Sequence, residues 1–299
     1  FLIRTVVTQW SQITAYSWEF RAVPLIGSMV VQVAAMFFWA AIWRSMIVRS
    51  GNAIGRADGV RIYLVSNLAK YIPGSIWGYV SRVYLGEDEG LTAAGVGVSV
   101  VWEVGMAIVA SLILTATTIP TYPGEIPDAI LNLVLLVALV CFIGLIPPVS
   151  NRWLRLLNRW QSTHPTPTFR WSDFFFYLTA ALATHVLVGT AFFMFTRSLV
   201  NVNVSAWWSF VGMWSFSATA GLVVIFVPYG LGVKEGLLTL LLQPFLPAES
   251  AVLISLASRL WTIACELLAA GIVAVLFYGS KRLASRRVPG DPANTLNNP

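Results

Sequence analysis

Two otherwise apolar stretches of the sequence place charged side chains beside Pro and Gly. The first reads Lys70-Tyr-Ile-Pro73-Gly74, and the second reads Tyr229-Gly230-Leu-Gly232-Val-Lys234-Glu235. Pro lacks a backbone donor and Gly tolerates unusual dihedral angles, so each motif should break a helix and leave free backbone N–H groups. Such groups bind anions, and neighbouring cations strengthen the binding. We therefore predict an anion site at each break.

The spacing of further residues adds polar groups to the first break. Lys70 follows Asn67, and Arg82 follows Gly78, in each case by about one helical turn. We expect both cations to flank a polar groove, in which glycines let backbone amides approach a ligand. At the second break, Lys234 is expected to take the same role.

Charges at membrane depth need partners, because an unpaired one costs roughly 2.5 to 3.5 kcal/mol at the centre of a spanning helix. Glu103 and Glu266 are the expected partners of the cations. Glu235 adjoins Lys234 on a helix and cannot face it directly, so one of the two should point at another segment. Arg259 precedes Glu266 by seven residues and shares its helix face, which makes it a further candidate for the anion site.

Structural roles are alternatives for several of these residues. Lys70 and Arg82 could extend their charged ends to the membrane surface from the two ends of a re-entrant loop. Arg259 and Glu266 could form a polar seam along one helix. The tryptophans Trp39, Trp43, Trp207, Trp208 and Trp261 are typical of interfacial belts and of helix packing.

The composition identifies the class of protein. Hydrophobic residues make up 57% of the 299 residues, charged residues only 11%, and the mean hydropathy is +0.75. Soluble domains carry roughly 25% charged residues, so this is an integral membrane protein. The net charge of +6 lies in loops between apolar runs, where membrane orientation explains it better than nucleic acid does. Cys141 and Cys265 lack metal-ligand spacing, and we predict no metal and no cofactor.

Long apolar runs predict membrane-spanning helices, since about 20 residues cross the hydrocarbon core. The predicted spans are 23–43, 92–118, 129–149, 174–196 and 251–278, with broken hairpins at 62–85 and 207–246. A helix over 62–72 would reach only about 16 Å, so the first hairpin should be re-entrant, whereas the second is either re-entrant or fully spanning. We predict an all-α polytopic membrane protein with one domain over residues 1–299.

The order of these elements suggests an internal repeat. Span, broken re-entrant hairpin and span occur at about 23–118 and again at 174–278, joined by the span at 129–149. Basic residues follow the first span, fill the central loop after residue 149 and follow the last span, so these regions and the C-terminus should be cytoplasmic. The two halves then have opposite orientations, which is the inverted repeat of many transporters.

Both motifs also resemble those of a known family. The segment from Asn67 through Pro73-Gly74 and Gly78 to Arg82, the segment Gly230-Leu-Gly232-Val-Lys234-Glu235, and the later Arg259 resemble the transmembrane domain of lysylphosphatidylglycerol synthases and their stand-alone flippase-like relatives. The resemblance implies lipid translocation. We expect a stand-alone member without the aminoacyltransferase domain, so the synthase activity is not carried over.

The predicted function is translocation of a lipid with an anionic phosphate headgroup, such as a phospholipid or a polyprenyl phosphate sugar, across the cytoplasmic membrane of a bacterial or archaeal cell. An ionised phosphate in bare hydrocarbon would cost tens of kcal/mol, which helix termini and cations would have to offset. We expect the substrate-binding set to be Asn67, Lys70, Pro73, Gly74, Gly78, Arg82, Tyr229, Gly230, Gly232, Lys234 and Arg259. Glu103, Glu235 and Glu266 should pair with the cations or exchange protons.

Other functions remain open at this stage. One is a membrane enzyme acting on a lipid-linked substrate with Glu103 or Glu235 as base, although we expect no enzymatic activity because the sequence offers no nucleophile arrangement. Another is a scaffold or a small-solute channel, in which the hairpins would be structural. A homo-oligomer, and a partner glycosyltransferase or lipid-modifying enzyme, are compatible with either role.

Overall fold

The computed structural model describes residues 20–72, 76–124, 128–158, 168–223 and 232–285, and every regular element in those ranges is helical. In chain order the α-helices are α1 (Ala22–Arg49), α2 (Arg56–Leu68), α3 (Trp77–Glu87), α4 (Ala93–Thr118), α5 (Asp128–Leu145), α6 (Pro147–Asn158), α7 (Trp171–Leu199), α8 (Trp207–Val223), α9 (Val233–Leu242) and α10 (Ala248–Ser285). Short 3-10 turns occupy Ala69–Tyr71, Ile119–Thr121 and Val204–Ala206.

Four of the described helices are long and apolar enough to cross a membrane. They are Ala22–Arg49, Ala93–Thr121, Trp171–Leu199 and Ala248–Phe277, and the bent pair Leu135–Leu145 and Pro147–Leu156 makes a fifth if it counts as one span. The prediction of an all-α polytopic membrane protein is therefore confirmed.

The linking span predicted for 129–149 is not one continuous helix. Helix α5 ends at Leu145, and α6 continues from Pro147 at an angle of 68°. Pro147 and Pro148 cannot donate backbone hydrogen bonds, and their rings clash with the preceding turn, so a straight helix cannot pass through them. The apolar run is continuous in sequence, but the helix is broken.

The first hairpin consists of α2 and α3. Helix α2 begins, and α3 ends, at the same face of the molecule. We call it the first face; α1 ends there and α4 begins there, and the backbone N–H of Thr92 donates to Asn52 Oδ1 at 2.9 Å. Arg61, near the start of α2, pairs with Glu89, just after α3, at 2.6 Å. Helix α2 starts at Arg56, earlier than predicted, yet its 13 residues extend only about 20 Å, too short to cross.

The second hairpin, formed by α8 and α9, has both ends at the opposite face, which we call the second face. Thr121, after α4, lies 2.9 Å from Ser209 at the start of α8, measured between hydroxyl oxygens. Phe245, just after α9, stacks edge-on against Phe210 of α8 with ring centroids 5.5 Å apart. Helix α10 then returns to the first face, where Phe277 lies 4.6 Å from the Arg61 guanidinium.

Helices α1 and α7 pack antiparallel along their length. Arg49 at the end of α1 pairs with Asp173 at the start of α7 at 2.7 Å, and the backbone N–H of Arg21 donates to the carbonyl of Ser198 at 2.9 Å. A long helix, two short helices and another long helix thus occur in this order twice along the chain, as α1–α4 and as α7–α10. The short pair of the first set has both ends at the first face, and the short pair of the second set has both ends at the second face. An inverted symmetry relating the halves 23–118 and 174–278 stays a prediction.

Close helix contacts hold α8 of the second hairpin against the long helices α4 and α7. A Cβ on Gly189 of α7 would lie 2.6 Å from the Cα of Val211 in α8, and one on Gly212 would meet Thr118 at the end of α4. Small residues at such crossings let helix backbones approach closely, which is how membrane helices gain packing energy. Helix α8 is therefore packed tightly against both α4 and α7.

Candidate functional site

The arms of the first hairpin pack side by side and set the position of Arg82. A Cβ on Gly78 would lie 3.5 Å from the Cβ of Lys70, and the Ser81 hydroxyl donates to the carbonyl of Ser66 at 3.1 Å. Arg82, on the next turn of α3, is buried and pairs with Glu103 of α4 at 2.5 Å. The structure therefore brings a cation of the hairpin against a carboxylate of a long helix.

Aromatic side chains complete the surroundings of this ion pair. Tyr63 and Trp39 donate to Glu103 Oε1 at 2.7 and 3.2 Å. The Arg82 guanidinium lies 4.3 Å from the ring centroid of Tyr63 and 5.1 Å from that of Trp43. These contacts satisfy both charges and fix the guanidinium in one orientation, because hydrogen bonds and cation–π contacts are both directional.

Lys70 links the first hairpin to α10. Its ammonium lies 2.5 Å from Glu266 Oε1, and the Tyr71 hydroxyl donates to Glu266 Oε2 at 2.8 Å. Lys70 and Glu266 are both buried. Neither Lys70 nor Arg82 extends to the surface, in contrast to the snorkelling alternative.

At the second hairpin, Glu235 turns away from Lys234, as the neighbouring positions require. Glu235 Oε1 pairs with Arg259 of α10 at 2.6 Å, and Oε2 accepts the backbone N–H of Gly232 at 2.7 Å. Gly232 has a φ of +86°, a conformation that side chains with a Cβ rarely adopt. Arg259 and Glu266 therefore bind different partners and do not form a seam with each other.

Lys234 is buried but, among the described residues, forms no ion pair with a carboxylate. Its ammonium lies 3.7 Å from the ring centroid of Trp214 in α8. A cation–π contact offsets part of the desolvation cost without neutralising the charge. Among the described cations of this region, Lys234 is thus the one whose charge no described carboxylate pairs with.

Two adjoining cavities connect these groups. The first cavity, of about 220 Å³, is lined by Arg82, Glu103 and Gly78 among others. The second cavity, of about 240 Å³, is lined by Lys234, Glu266 and Trp214 among others. Four residues line both cavities: Trp39, Tyr63, Asn67 and Lys70. The two ionic clusters therefore border one region between the hairpins.

An apolar groove adjoins the first cavity. It has a volume of about 440 Å³, lies between α4 and the α5–α6 bend, and is lined almost entirely by apolar groups, including Gly105, Gly144 and Trp153. Val104 lines both this groove and the first cavity. A charged cavity beside an apolar groove matches the two parts of an amphipathic ligand.

The charges of this region do not balance. Lys70, Arg82, Lys234 and Arg259 supply four positive charges when protonated, whereas Glu103, Glu235 and Glu266 supply three negative ones. With all four cations protonated, the set carries one net positive charge, that of Lys234. An excess charge inside a membrane protein is costly, and a bound anion would neutralise it.

The structure gathers most of the predicted site residues, but not all in one place. Asn67, Lys70, Gly78, Arg82, Lys234, Glu103 and Glu266 line the two cavities. Gly232 and Glu235 at the start of α9, and Arg259 of α10, are not among their lining residues. Pro73, Gly74, Tyr229 and Gly230 lie outside the described residues.

Several lining residues were not predicted from the sequence. Trp39 lines both cavities and is buried rather than placed in an interfacial belt. Trp43, which lines neither cavity, is buried beside the Arg82 guanidinium. Tyr63 could have been found, because it precedes Asn67 by one helical turn on the same face. Gln32 and Trp214 carry no comparable signal, since they lie on helices that are apolar around most of their circumference. In the described ranges no three His, Cys, Asp or Glu residues cluster as metal ligands.

Fold and site together define a polytopic membrane protein with a buried, charged pair of cavities between two short-helix hairpins. The sequence model of the lysylphosphatidylglycerol synthase TM region matches residues 1–270 of the 299-residue chain. The protein therefore belongs to that family, a membrane domain associated with lipid handling. A search of curated proteins found no match.

Proposed function

We propose that this protein translocates a lipid with an anionic phosphate headgroup across the cytoplasmic membrane and is not an enzyme. The observation that carries the proposal concerns Lys234. Its side chain is buried and lines the second cavity, and it forms no ion pair among the described residues. Lys70 and Arg82 border the same region. Together they would replace the water that a phosphate loses when it leaves the membrane surface.

The glutamates give the site a way to release its ligand. Glu103 and Glu266 already hold Arg82 and Lys70, so an arriving phosphate competes with carboxylates instead of meeting free cations. Such competition keeps binding weak enough for release on the other side. Arg259, held by Glu235 at the start of α9, would act on the position of the second hairpin more than on the phosphate.

The apolar groove supports a lipid in preference to a soluble anion. Because Val104 lines both the groove and the first cavity, a phosphate in the cavity could keep its hydrocarbon chain in the groove. The chain would then stay in an apolar environment throughout, and only the headgroup would need a protein path. The two hairpins, which open at opposite faces, would alternate access to the cavities.

The test is headgroup translocation in proteoliposomes with purified protein, probed with a fluorescent phosphatidylglycerol and a polyprenyl phosphate sugar. Lys234→Met removes the charge and leaves no described carboxylate without its partner, so we expect the variant to fold. Its transport rate should fall at least tenfold, because the cavity loses its unpaired cation. Lys234→Arg should retain part of the rate, since it keeps the charge. Arg155→Met, which removes an exposed cation of α6, is the matched control and should transport normally.

Thermal unfolding in detergent establishes that each variant is folded. Transport by Lys234→Met at the unmodified rate would contradict the role of the cavity charge. Absence of transport for both probes by folded, unmodified protein would contradict lipid translocation itself, and conversion of either lipid into a product would favour the enzyme alternative.

A further inference from the structure

Lys234 lines the second cavity, and no carboxylate in the described part of the chain pairs with it. It is 7% exposed, and its ammonium lies against the ring of Trp214. A buried ammonium without a counter-ion is costly, because desolvation penalises the charged form of an amine. In the empty cavity, loss of one proton from Lys234 removes this cost, and a bound phosphate favours return of the proton.

The other charged groups around Lys234 balance one another. Helices α8 and α10 pack against α9, and the charged or titratable groups that face Lys234 are Lys70, His185, Glu235, Arg259 and Glu266. Glu235 pairs with Arg259, and Glu266 pairs with Lys70. These two pairs sum to zero charge, so the protonation state of Lys234 sets the net charge of its surroundings.

The glutamates are poorer carriers of a mobile proton than Lys234. Both oxygens of each carboxylate accept from donors, which are Arg82, Tyr63 and Trp39 at Glu103, Lys70 and Tyr71 at Glu266, and Arg259 and the Gly232 N–H at Glu235. A protonated carboxyl would lose one of these bonds. His185 also lines the second cavity, and its ring donates to the backbone carbonyl of Ala107. It is the alternative carrier that the experiment has to separate from Lys234.

We propose that lipid translocation is coupled to protons, with Lys234 taking up one proton with each phosphate and releasing both on the other side of the membrane. This inference rests on the proposed function and adds its driving force. On uptake, water supplies the proton that converts the Lys234 amine into an ammonium. On release, the ammonium returns that proton to water as the phosphate leaves. A lipid with one ionised phosphodiester then crosses without net charge.

The distribution of lipid under imposed gradients tests the coupling. Fluorescent phosphatidylglycerol and the polyprenyl phosphate sugar each carry one ionised phosphodiester. In proteoliposomes with the membrane potential held at zero, each unit of pH difference should sustain about a tenfold ratio of labelled lipid between the leaflets, with the excess on the alkaline side. A membrane potential without a pH difference should sustain no such ratio, because the transported pair is neutral.

Lys234→Arg separates the charge from the mobile proton, because a guanidinium keeps its proton. This variant should keep part of the transport rate but lose the response to the pH difference. One negative charge then crosses with each lipid, so a potential of about 59 mV should sustain a tenfold ratio. His185→Gln should keep the pH response, and so should Arg155→Met, which removes an exposed cation far from α9 in sequence.

A second measurement needs no variant. A pH-sensitive dye trapped inside the vesicles should report one proton entering with each lipid that moves inward. Lipid movement without a change in the dye signal would contradict the coupling even if Lys234→Arg failed to fold.

The outcomes separate the two proposals. Translocation by the unmodified protein that follows the potential, or that equalises the leaflets under both gradients, would leave lipid transport standing and overturn proton coupling. A pH response that persists in Lys234→Arg, or that is lost in His185→Gln, would overturn the assignment of the proton to Lys234. No movement of either probe by folded protein would overturn both proposals.

Discussion

Arg82 and Glu103 form a buried ion pair whose structural and functional roles can be separated. Loss of one partner from such a pair typically costs about 3 to 5 kcal/mol, because it leaves an uncompensated charge in a dry environment. Replacement of both partners by neutral groups can be nearly neutral for stability. The same pair should therefore respond differently to single and double substitution.

We expect Arg82→Met to lower the melting temperature of the purified protein strongly, because Glu103 keeps its charge but loses its counter-ion. The double variant Arg82→Met with Glu103→Gln should recover most of that loss, since Gln can still accept from Tyr63 and Trp39. Transport should stay low in both variants, because the phosphate loses a cation. Thermal unfolding and proteoliposome transport measure the two effects.

Transport by the double variant at the unmodified rate would contradict a substrate contact for Arg82 and leave it a structural role. Recovery of neither stability nor transport would mean that the guanidinium supports the hairpin in another way, through its contacts with Tyr63 and Trp43.

At the scale of elements, the crossing of α7 and α8 depends on the absence of a side chain at Gly189. A Cβ there would lie 2.6 Å from the Cα of Val211, and backbone cannot move aside as a flexible side chain can. We expect Gly189→Ala to destabilise the protein by about 1 to 3 kcal/mol through overpacking. Gly271→Ala on α10 is the control, since nothing lies within 4 Å of its added Cβ.

Gly271→Ala should be neutral or stabilising by up to about 1 kcal/mol, because Ala has the higher helix propensity. Thermal unfolding of both variants in one detergent gives the comparison. A melting temperature for Gly189→Ala equal to that of Gly271→Ala would show that α7 and α8 are farther apart than described.

The apolar groove gives a second prediction about elements. Gly144 of α5 lines it, and an added Cβ there meets nothing within 4 Å, so Gly144→Leu should fill the groove without disturbing helix packing. We expect transport to fall several-fold with little change in melting temperature. Gly97→Leu on the exposed side of α4 adds the same side chain outside the groove and should be without effect. Equal rates for the two variants would exclude the groove as the path of the hydrocarbon chain.

At the scale of the whole molecule, the sequence predicted the long helices and both hairpins because apolar runs and Pro-Gly breaks are local signals. It did not predict the bend after Leu145, which the apolar run conceals. It also left the charge partners open: Lys70 and Glu266 are 196 residues apart in sequence, and only the packing of α10 against the first hairpin brings them together. Lys234 and Glu235 show this limit of sequence-based prediction. Because they are adjacent on a helix, the sequence excluded a contact between them, but it did not predict that Glu235 pairs with Arg259 or that Lys234 lies against Trp214.

The orientation of the molecule is the last prediction. Arg44, Arg49, Arg56 and Arg61 lie near the first face, and basic loops favour the cytoplasm, so we expect the first face to be cytoplasmic. In a background with Cys141→Ser and Cys265→Ala, Glu87→Cys reports on the first face and Asn201→Cys on the second; both positions are exposed. A membrane-impermeant maleimide should label Asn201→Cys in intact cells and Glu87→Cys only after lysis. Labelling of Glu87→Cys in intact cells and of Asn201→Cys only after lysis would show the opposite orientation. The first hairpin would then open to the outside and receive the lipid from the outer leaflet.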